Sequence, residues 1–272
     1  MPPASAALRI FITGASSGIG LALARHYAAE GAILGLVGRN SERLQALAQS
    51  LPHPHAVQCY ALDVRDAAAL QAAAQDFITR FGCPDIVIAS AGISAGVHTA
   101  DAADLPGFQA IMQTNWLAMV ATFQPFVDLM SERRSGTLVG VASVAGVRGL
   151  PGHGAYSASK AAVIAYLESL RVELRAHRVG VVTLVPGYIR TPMTDGNPFP
   201  MPFLMDVDRF ARKAAGAIAR RKRFAVYPWQ MRVVAALLAG VPRWLYDRLA
   251  SRAPRKPRAA NQAEHRPSNH GQ

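Results

Sequence analysis

The chain has 272 residues, of which 51% are hydrophobic, a net charge of +12 and two cysteines. That length and apolar content suit one large α/β domain with a sizeable core. Cys59 and Cys83 are too few for a disulfide framework or a four-cysteine zinc site and fit a reducing, cytoplasmic compartment, so no metal is expected.

The first residues carry no apolar core after a basic start, so no N-terminal leader is expected. Residues 8–12 are an apolar run that reads as a buried strand. They lead directly into the glycine-rich stretch 13–20, then into a helical pattern through Glu30, closed by Gly31. Residues 33–37 form a second strand, and Ser41 is the expected N-cap of a helix reaching about Ser50. Residues 56–62 are a third strand, followed by Asp63 and a helix over about 67–81. Residues 85–89 are the fourth strand. A long helix is expected after Pro106-Gly107, running to about Met130. Residues 137–142 are the fifth strand, the helix containing Tyr156 follows, and 180–185 and 224–227 complete the set. Short apolar runs alternating with helical patterns predict an α/β, doubly wound fold: a mostly parallel sheet covered by helices on both faces. Ligands of such sheets bind outside the carboxyl ends of the strands. With no internal boundary before about residue 250, a single domain over residues 1–252 is expected. Residues 253–272, rich in Pro and Arg and without an apolar face, are expected to be disordered.

Two stretches carry chemistry. Tyr156 and Lys160 lie four residues apart and so share one helix face. A fixed cation beside a phenol favours the phenolate and makes the tyrosine a usable acid or base. Gly14, Gly18 and Gly20 lie between the first strand and the first helix, where glycines allow a tight turn and close approach of a diphosphate to the helix N-terminus.

These two stretches occur in order with Asp63-Val64, Ser90-Ala91-Gly92, Asn115, Ser143 and Pro186-Gly187. Together they resemble the short-chain dehydrogenase/reductase family across about residues 8–195. The resemblance implies a Rossmann fold and an oxidoreductase that interconverts a ketone and a secondary alcohol with a nicotinamide cofactor. It implies a catalytic set of Asn115, Ser143, Tyr156 and Lys160. Ser143 and Tyr156 would bind the substrate oxygen, Tyr156 would exchange its proton, Lys160 would lower the phenol pKa and bind the nicotinamide ribose, and Asn115 would hold a water that passes protons to Lys160. The turn Gly14, Ser16, Ser17, Gly18, Ile19 and Gly20 would hold the diphosphate end. Asp63 would accept from the adenine amino group, with Val64 beside the ring. Ala91 and Gly92 would pass the adenosine ribose, and Pro186, Gly187, Ile189 and Thr191 would flank the nicotinamide. The family's Asn-Ala-Gly is here Ser90-Ala91-Gly92, a side chain with fewer hydrogen bonds to tie neighbouring strands.

The second strand selects the cofactor. No acid lies between Ala32 and Ser41 to bind a ribose 2′-hydroxyl, and Arg39 offers a forked cation suited to a phosphate monoester. NADP(H) is expected, with Ser16 and Ser17 adding hydroxyl contacts. His153, in the glycine-rich approach to Tyr156, is left outside the site.

Phe199, Met201, Phe203, Leu204 and Met205 would form an apolar lid, which suits a small apolar carbonyl or alcohol substrate. Small residues along the Tyr156 helix suit close helix contact, and the resemblance implies a homodimer or homotetramer. Residues 1–208 contain 14 Lys and Arg against 15 Asp and Glu, and residues 209–272 contain 15 against 2. The body is therefore neutral. A basic tail is compatible with nucleic acid, but no zinc finger, recognition helix or aromatic-and-basic sheet motif accompanies it, and no nucleic-acid partner is expected. Residues 229–249 mix apolar residues with Trp229, Trp244 and several arginines, and Pro242 breaks any helix there. The uncharged run is too short to span a bilayer. Either a helix lying in an anionic membrane surface, with the protein peripheral on the membrane, or a cover over the substrate pocket or a subunit interface fits this pattern. A non-catalytic dinucleotide sensor or scaffold on the same fold is the alternative to the enzyme.

Overall fold

Seven short runs become strands; the five in the middle of the sheet are rich in Val, Ile and Leu because they are buried on both faces, which favours branched side chains, whereas the two edge runs are only partly buried. The seven are β1 (Arg9–Thr13), β2 (Ile33–Gly38), β3 (Val57–Ala61), β4 (Ile86–Ala89), β5 (Thr137–Val141), β6 (Gly180–Pro186) and β7 (Phe224–Tyr227). In the computed structural model, which describes residues 7–251 apart from 196, 198 and 199, every pairing is parallel and the order is β3-β2-β1-β4-β5-β6-β7. The chain moves outward one way from β1 and then crosses back to β4. This reversal opens a crevice at the carboxyl ends of β1 and β4.

The helices are α1 (Gly18–Ala29), α2 (Ser41–Ser50), α3 (Ala67–Phe81), α4 (Leu105–Met112), α5 (Ala118–Arg133), α6 (Gly154–Glu173), α7 (Val207–Ala219), α8 (Trp229–Gly240) and α9 (Arg243–Ala250). Alternation along the strands sends side chains to two cores. Ile10 and Ile12 of β1 join Leu23, Leu44 and Phe210 beneath α1, α2 and α7. Phe11, between them, faces the other way and joins Phe77, Phe123, Phe126 and Leu167 beneath α3, α5 and α6. Its ring lies 5.6 Å from that of Phe77 and 5.1 Å from that of Phe126, the tilted or edge-on contacts that aromatic quadrupoles favour.

Two local expectations are corrected. Asn40, not Ser41, caps α2: its Oδ1 accepts the Arg43 N–H at 2.7 Å, and Ser41 already lies inside the helix. The long helix after Pro106 is two helices joined by a π turn at Gln113–Leu117, which contains Asn115. A π turn inserts one extra residue into the ladder and so turns the helix locally. Helix α7 carries no sequence expectation. Asp206 caps it by accepting the N–H groups of Asp208 and Arg209, and it packs Phe210 and Ile218 on α1. Pro242 does separate α8 from α9, as its missing donor requires.

Candidate active site

Strand β5 ends at Val141; Ala142 still donates to the Leu184 carbonyl of β6 at 2.8 Å, and the chain leaves the sheet at its carboxyl edge with Ser143. Ser143 is buried there, and its Oγ accepts the Ala145 N–H at 3.2 Å. Helix α6 starts eleven residues later and brings Tyr156 back beside it, so that the phenol and the Ser143 hydroxyl share a hydrogen bond. One turn on, Lys160 is buried, and its Nζ donates to the Val141 carbonyl at 2.8 Å. The three side chains therefore sit together at one strand end.

Burial governs both ionisable groups. It pushes the Tyr156 phenol above its ordinary value, against the smaller lowering by Ser143. Burial brings the Lys160 ammonium down to about 8. The expected lowering of the phenol by the lysine is therefore not what dominates. The ammonium stands 5.8 Å from the ring centroid and spends a hydrogen bond on a backbone carbonyl. This has a consequence for stability. The folded value of about 8 lies below the ordinary 10.5, so between them the unfolded chain binds more protons and stability rises with pH. Relative to Lys160→Met, the native protein should gain roughly 2 kcal/mol between about pH 7 and pH 10, as urea denaturation would read. A constant difference between the two proteins would mean that the ammonium is solvated.

Asn115 is fully buried in the π turn. Its Oδ1 accepts the Ile93 N–H at 2.8 Å, and its Nδ2 donates to the Ile93 carbonyl at 3.0 Å and to Ser159 Oγ at 2.9 Å. The amide ties the loop after β4 to the first turns of α6. Ser159 in turn donates to the Tyr156 carbonyl at 2.8 Å, and Ser157 accepts the Leu150 N–H at 3.2 Å. These two serines hold the start of α6. The sequence reading passed over them, although two buried serines in the opening turns of a helix signal side-chain-to-backbone bonds.

The glycine-rich turn forms a cradle. Gly14 has φ 70°, and a Cβ on it would lie 2.7 Å from the Ala91 nitrogen; a Cβ on Gly20 would strike the Gly14 carbonyl. The backbone there is open to a phosphate-bearing group at the N-terminus of α1, so the residues present fit a dinucleotide. Thr191 lies over Gly18, 3.4 Å from where its Cβ would be, and Ser17 is the exposed N-cap of α1. Ile19 packs into the core beneath the turn. Gly92 lies against Asn115 and Lys160, and Gly38 against Ser16. Arg39 is exposed just past β2, and its charge helps hold the Asp63 carboxyl below the usual range. The larger cause is Arg65, whose guanidinium grips both Asp63 oxygens at 2.6–3.1 Å. Val64 and Ile189 are buried, and the Gly187 N–H donates to the Tyr227 carbonyl at 2.8 Å. The expected cofactor residues thus line the carboxyl ends of β1 to β6.

Beside Tyr156 and Ser143 opens a cavity of about 550 Å³. Its polar lining includes Ser94, His153 and Tyr188, so His153, which the sequence leaves outside the site, lines this cavity. Its approach to Tyr156 in sequence was the available signal. The apolar lid also needs correction. Met205 is buried at the loop base, where its backbone pairs with Tyr188 and Arg190, and Phe203 points outward. Phe199 lies outside the described residues. The loop contributes Met193, Pro200 and Pro202, and most of the roof comes from Met231, Val234, Leu238 and Val241 of the C-terminal segment. A second depression, near Tyr27, Asp85 and Arg212, holds none of the residues above.

The chain belongs to the short-chain dehydrogenases: the model of the family described as short chain dehydrogenase matches residues 9–198. These are oxidoreductases. An uncharacterized oxidoreductase of Myxococcus xanthus is 38% identical over 244 residues, covering 89% of this chain and 95% of that protein. The dehydrogenase/reductase SDR family member 7B of Bos taurus is 33% identical, covering 92% and 82%. Among solved structures, a short-chain dehydrogenase from Sphingobium yanoikuyae in complex with NADPH superposes with a TM-score of 0.73 at 26% identity, covering 87% of this chain and 97% of that one.

Proposed function

We propose that the protein is an NADP(H)-dependent carbonyl reductase acting on an apolar ketone. The observation that carries this reading is the Tyr156 hydroxyl, bonded to Ser143 and facing an apolar cavity beside the glycine cradle. The nicotinamide supplies or accepts the hydride when bound. The protein's part is to hold the carbonyl oxygen between two hydroxyls and to move one proton. Tyr156 Oη gives its proton to that oxygen as the carbonyl is reduced and takes it back in the reverse direction. Its raised pKa keeps the phenol protonated, which suits the reducing direction. Ser143 Oγ donates to the same oxygen and orients it. Lys160, one helical turn away, would hold the nicotinamide ribose of the bound cofactor and stand as the proton reserve for the phenol, and Asn115 positions Lys160 and Tyr156 by clamping α6. The NADPH complex of the Sphingobium relative supports the cofactor, together with Arg39 and the lack of an acid after β2.

A panel of ketones assayed with NADPH and with NADH tests the reading. Turnover of apolar ketones with NADPH is expected; turnover of charged sugar acids alone would overturn the substrate class. The same proposal includes a homodimer or homotetramer. Leu117 of the π turn and Val172 of α6 are exposed, and so are the small residues Ala161 and Ala165 of α6. Sedimentation equilibrium should give at least twice the chain mass. It also includes contact of the C-terminal segment with an anionic membrane. Among the described residues no helix is long and apolar enough to cross one.

A further inference from the structure

Helix α8 is apolar on both sides. Met231 and Ala235 are buried, and with Val234 and Leu238 they form the side facing the cavity and core. The opposite stripe is Trp229, Val233 and Leu237, spaced four residues apart and 70%, 50% and 64% exposed. A helix on the surface of a protein surrounded by water carries polar residues on its outer face. This one does not. Trp244 of α9 is 71% exposed, and three exposed arginines, Arg232, Arg243 and Arg248, lie among these residues. Asp247 is the one acid in residues 209–251, and the sequence from 252 to 272 adds five Lys and Arg against one Glu.

We propose that the outer face of α8 and α9 docks on an anionic lipid surface, and that docking lets the cavity beneath take up a ketone dissolved in the lipid. Tryptophans interleaved with arginines on an apolar stripe match the layered polarity of a headgroup region. A second copy of the chain is the rival occupant. A two-fold pairing sets a patch against itself, and here it would bring three arginines onto three arginines with one aspartate on each side. The charge therefore favours lipid.

The same helices connect the surface to the chemistry. Leu249 and Met193 line the cavity and are themselves exposed, so the mouth has an apolar rim. The roof is fastened to the loop that enters α6. The Tyr246 hydroxyl donates to the Gly149 carbonyl, the Arg148 guanidinium lies 4.5 Å over the Tyr246 ring, and Arg148 donates to the Leu238 carbonyl at 3.4 Å. An apolar ligand leaving the bilayer would thus pass from the docked rim to Tyr156 without crossing bulk water. The docking stands on the surface alone; the substrate half rests on the function proposed above.

The test uses the full chain with phosphatidylcholine vesicles, with and without phosphatidylglycerol, in co-sedimentation. Binding to the anionic vesicles should exceed binding to neutral ones by about tenfold and collapse at high salt. Two variants, Trp229→Ser with Leu237→Ser, and Arg232→Glu with Arg243→Glu and Arg248→Glu, should each lose that binding. Both should reduce a short water-soluble ketone at the native rate and lose turnover of a long-chain ketone carried in anionic vesicles. Equally weak pelleting of the folded native protein with both vesicle types would overturn the docking. So would sedimentation equilibrium showing that the serine pair converts a dimer to a monomer without changing vesicle binding. Native vesicle binding with no turnover of either ketone would uphold the docking and count against the proposed function instead.

Discussion

Tyr156→Phe should lower turnover by about 10³-fold while the dissociation constant for NADPH stays within about twofold, because a positioned proton donor contributes on the order of 10² to 10⁴ in rate. The ring remains to fill its place at the start of α6, and only the hydroxyl bonded to Ser143 is lost. The same oxygen would then have Ser143 Oγ as its one remaining hydroxyl partner from this pair. Single-turnover reduction separates the two contributions: cofactor binding should appear unchanged in a fluorescence titration, and the chemical step should slow. Retention of most activity would remove Tyr156 from the proposed role. Loss of cofactor binding along with the rate would show that the phenol is holding the fold of the site rather than moving a proton. If native protein binds NADPH yet turns over no ketone or alcohol, the reading of a dinucleotide sensor gains and that of a reductase fails.

Arg39→Asp should shift the ratio of kcat/KM for NADPH over NADH by about 10³-fold toward NADH, since it removes charge-assisted hydrogen bonds of about 2 kcal/mol each and places a like charge against the 2′-phosphate. The site allows the change without disturbing the core. Arg39 is exposed immediately past β2, Gly38 beneath it touches Ser16 of the cradle, and the new carboxylate would lie where a ribose hydroxyl can be met. Arg65 bears on the size of the effect. It is already bound to Asp63, whose carboxyl also feels Arg39, so the two arginines stand on the same edge. In the variant, Arg65 has two carboxylates to choose between. An unaltered cofactor ratio would move the phosphate selectivity from Arg39 to Arg65, and Arg65→Ala would then show the shift.

Much of this architecture is legible in the residues. Seven short runs, each bounded by turns or helical patterns, read as parallel strands, and the five central ones read most directly, because a strand covered on both faces shows as nearly unbroken apolar sequence. Asp66 and Gly82 bracket α3, and its expected span over about 67–81 coincides with the observed helix for that reason. The spacing of Tyr156 and Lys160 and the glycines of the cradle are local chemistry, so they too are readable. Boundaries set by a single competing cap are less so: Asn40 and Ser41 are both good caps, and the contact with the Arg43 N–H decides between them. The π turn at Asn115 has no local signature. It arises where a buried amide must reach Ile93 and Ser159 at once, partners far apart in sequence.

The order of residues by itself determined that the body is neutral, that the C-terminal quarter is basic, and that alternating strand and helix patterns build one α/β sheet with a glycine-rich turn suited to a dinucleotide. What only the tertiary structure decided was the use of residues 229–250. Periodicity assigns side chains to faces when one face is polar, and in α8 both are apolar, so the pattern holds no information about which side turns inward. Attachment to β7 and to the Arg148 loop turns Met231, Val234 and Leu238 over the cavity and leaves Trp229, Val233 and Leu237 outside. The direction of the pKa shifts was decided the same way. A phenol and an ammonium four residues apart suggest mutual stabilisation of charge, but that inference assumes water around both. Folding buries them, and the cost of desolvating each charge outweighs their attraction, raising Tyr156 and lowering Lys160.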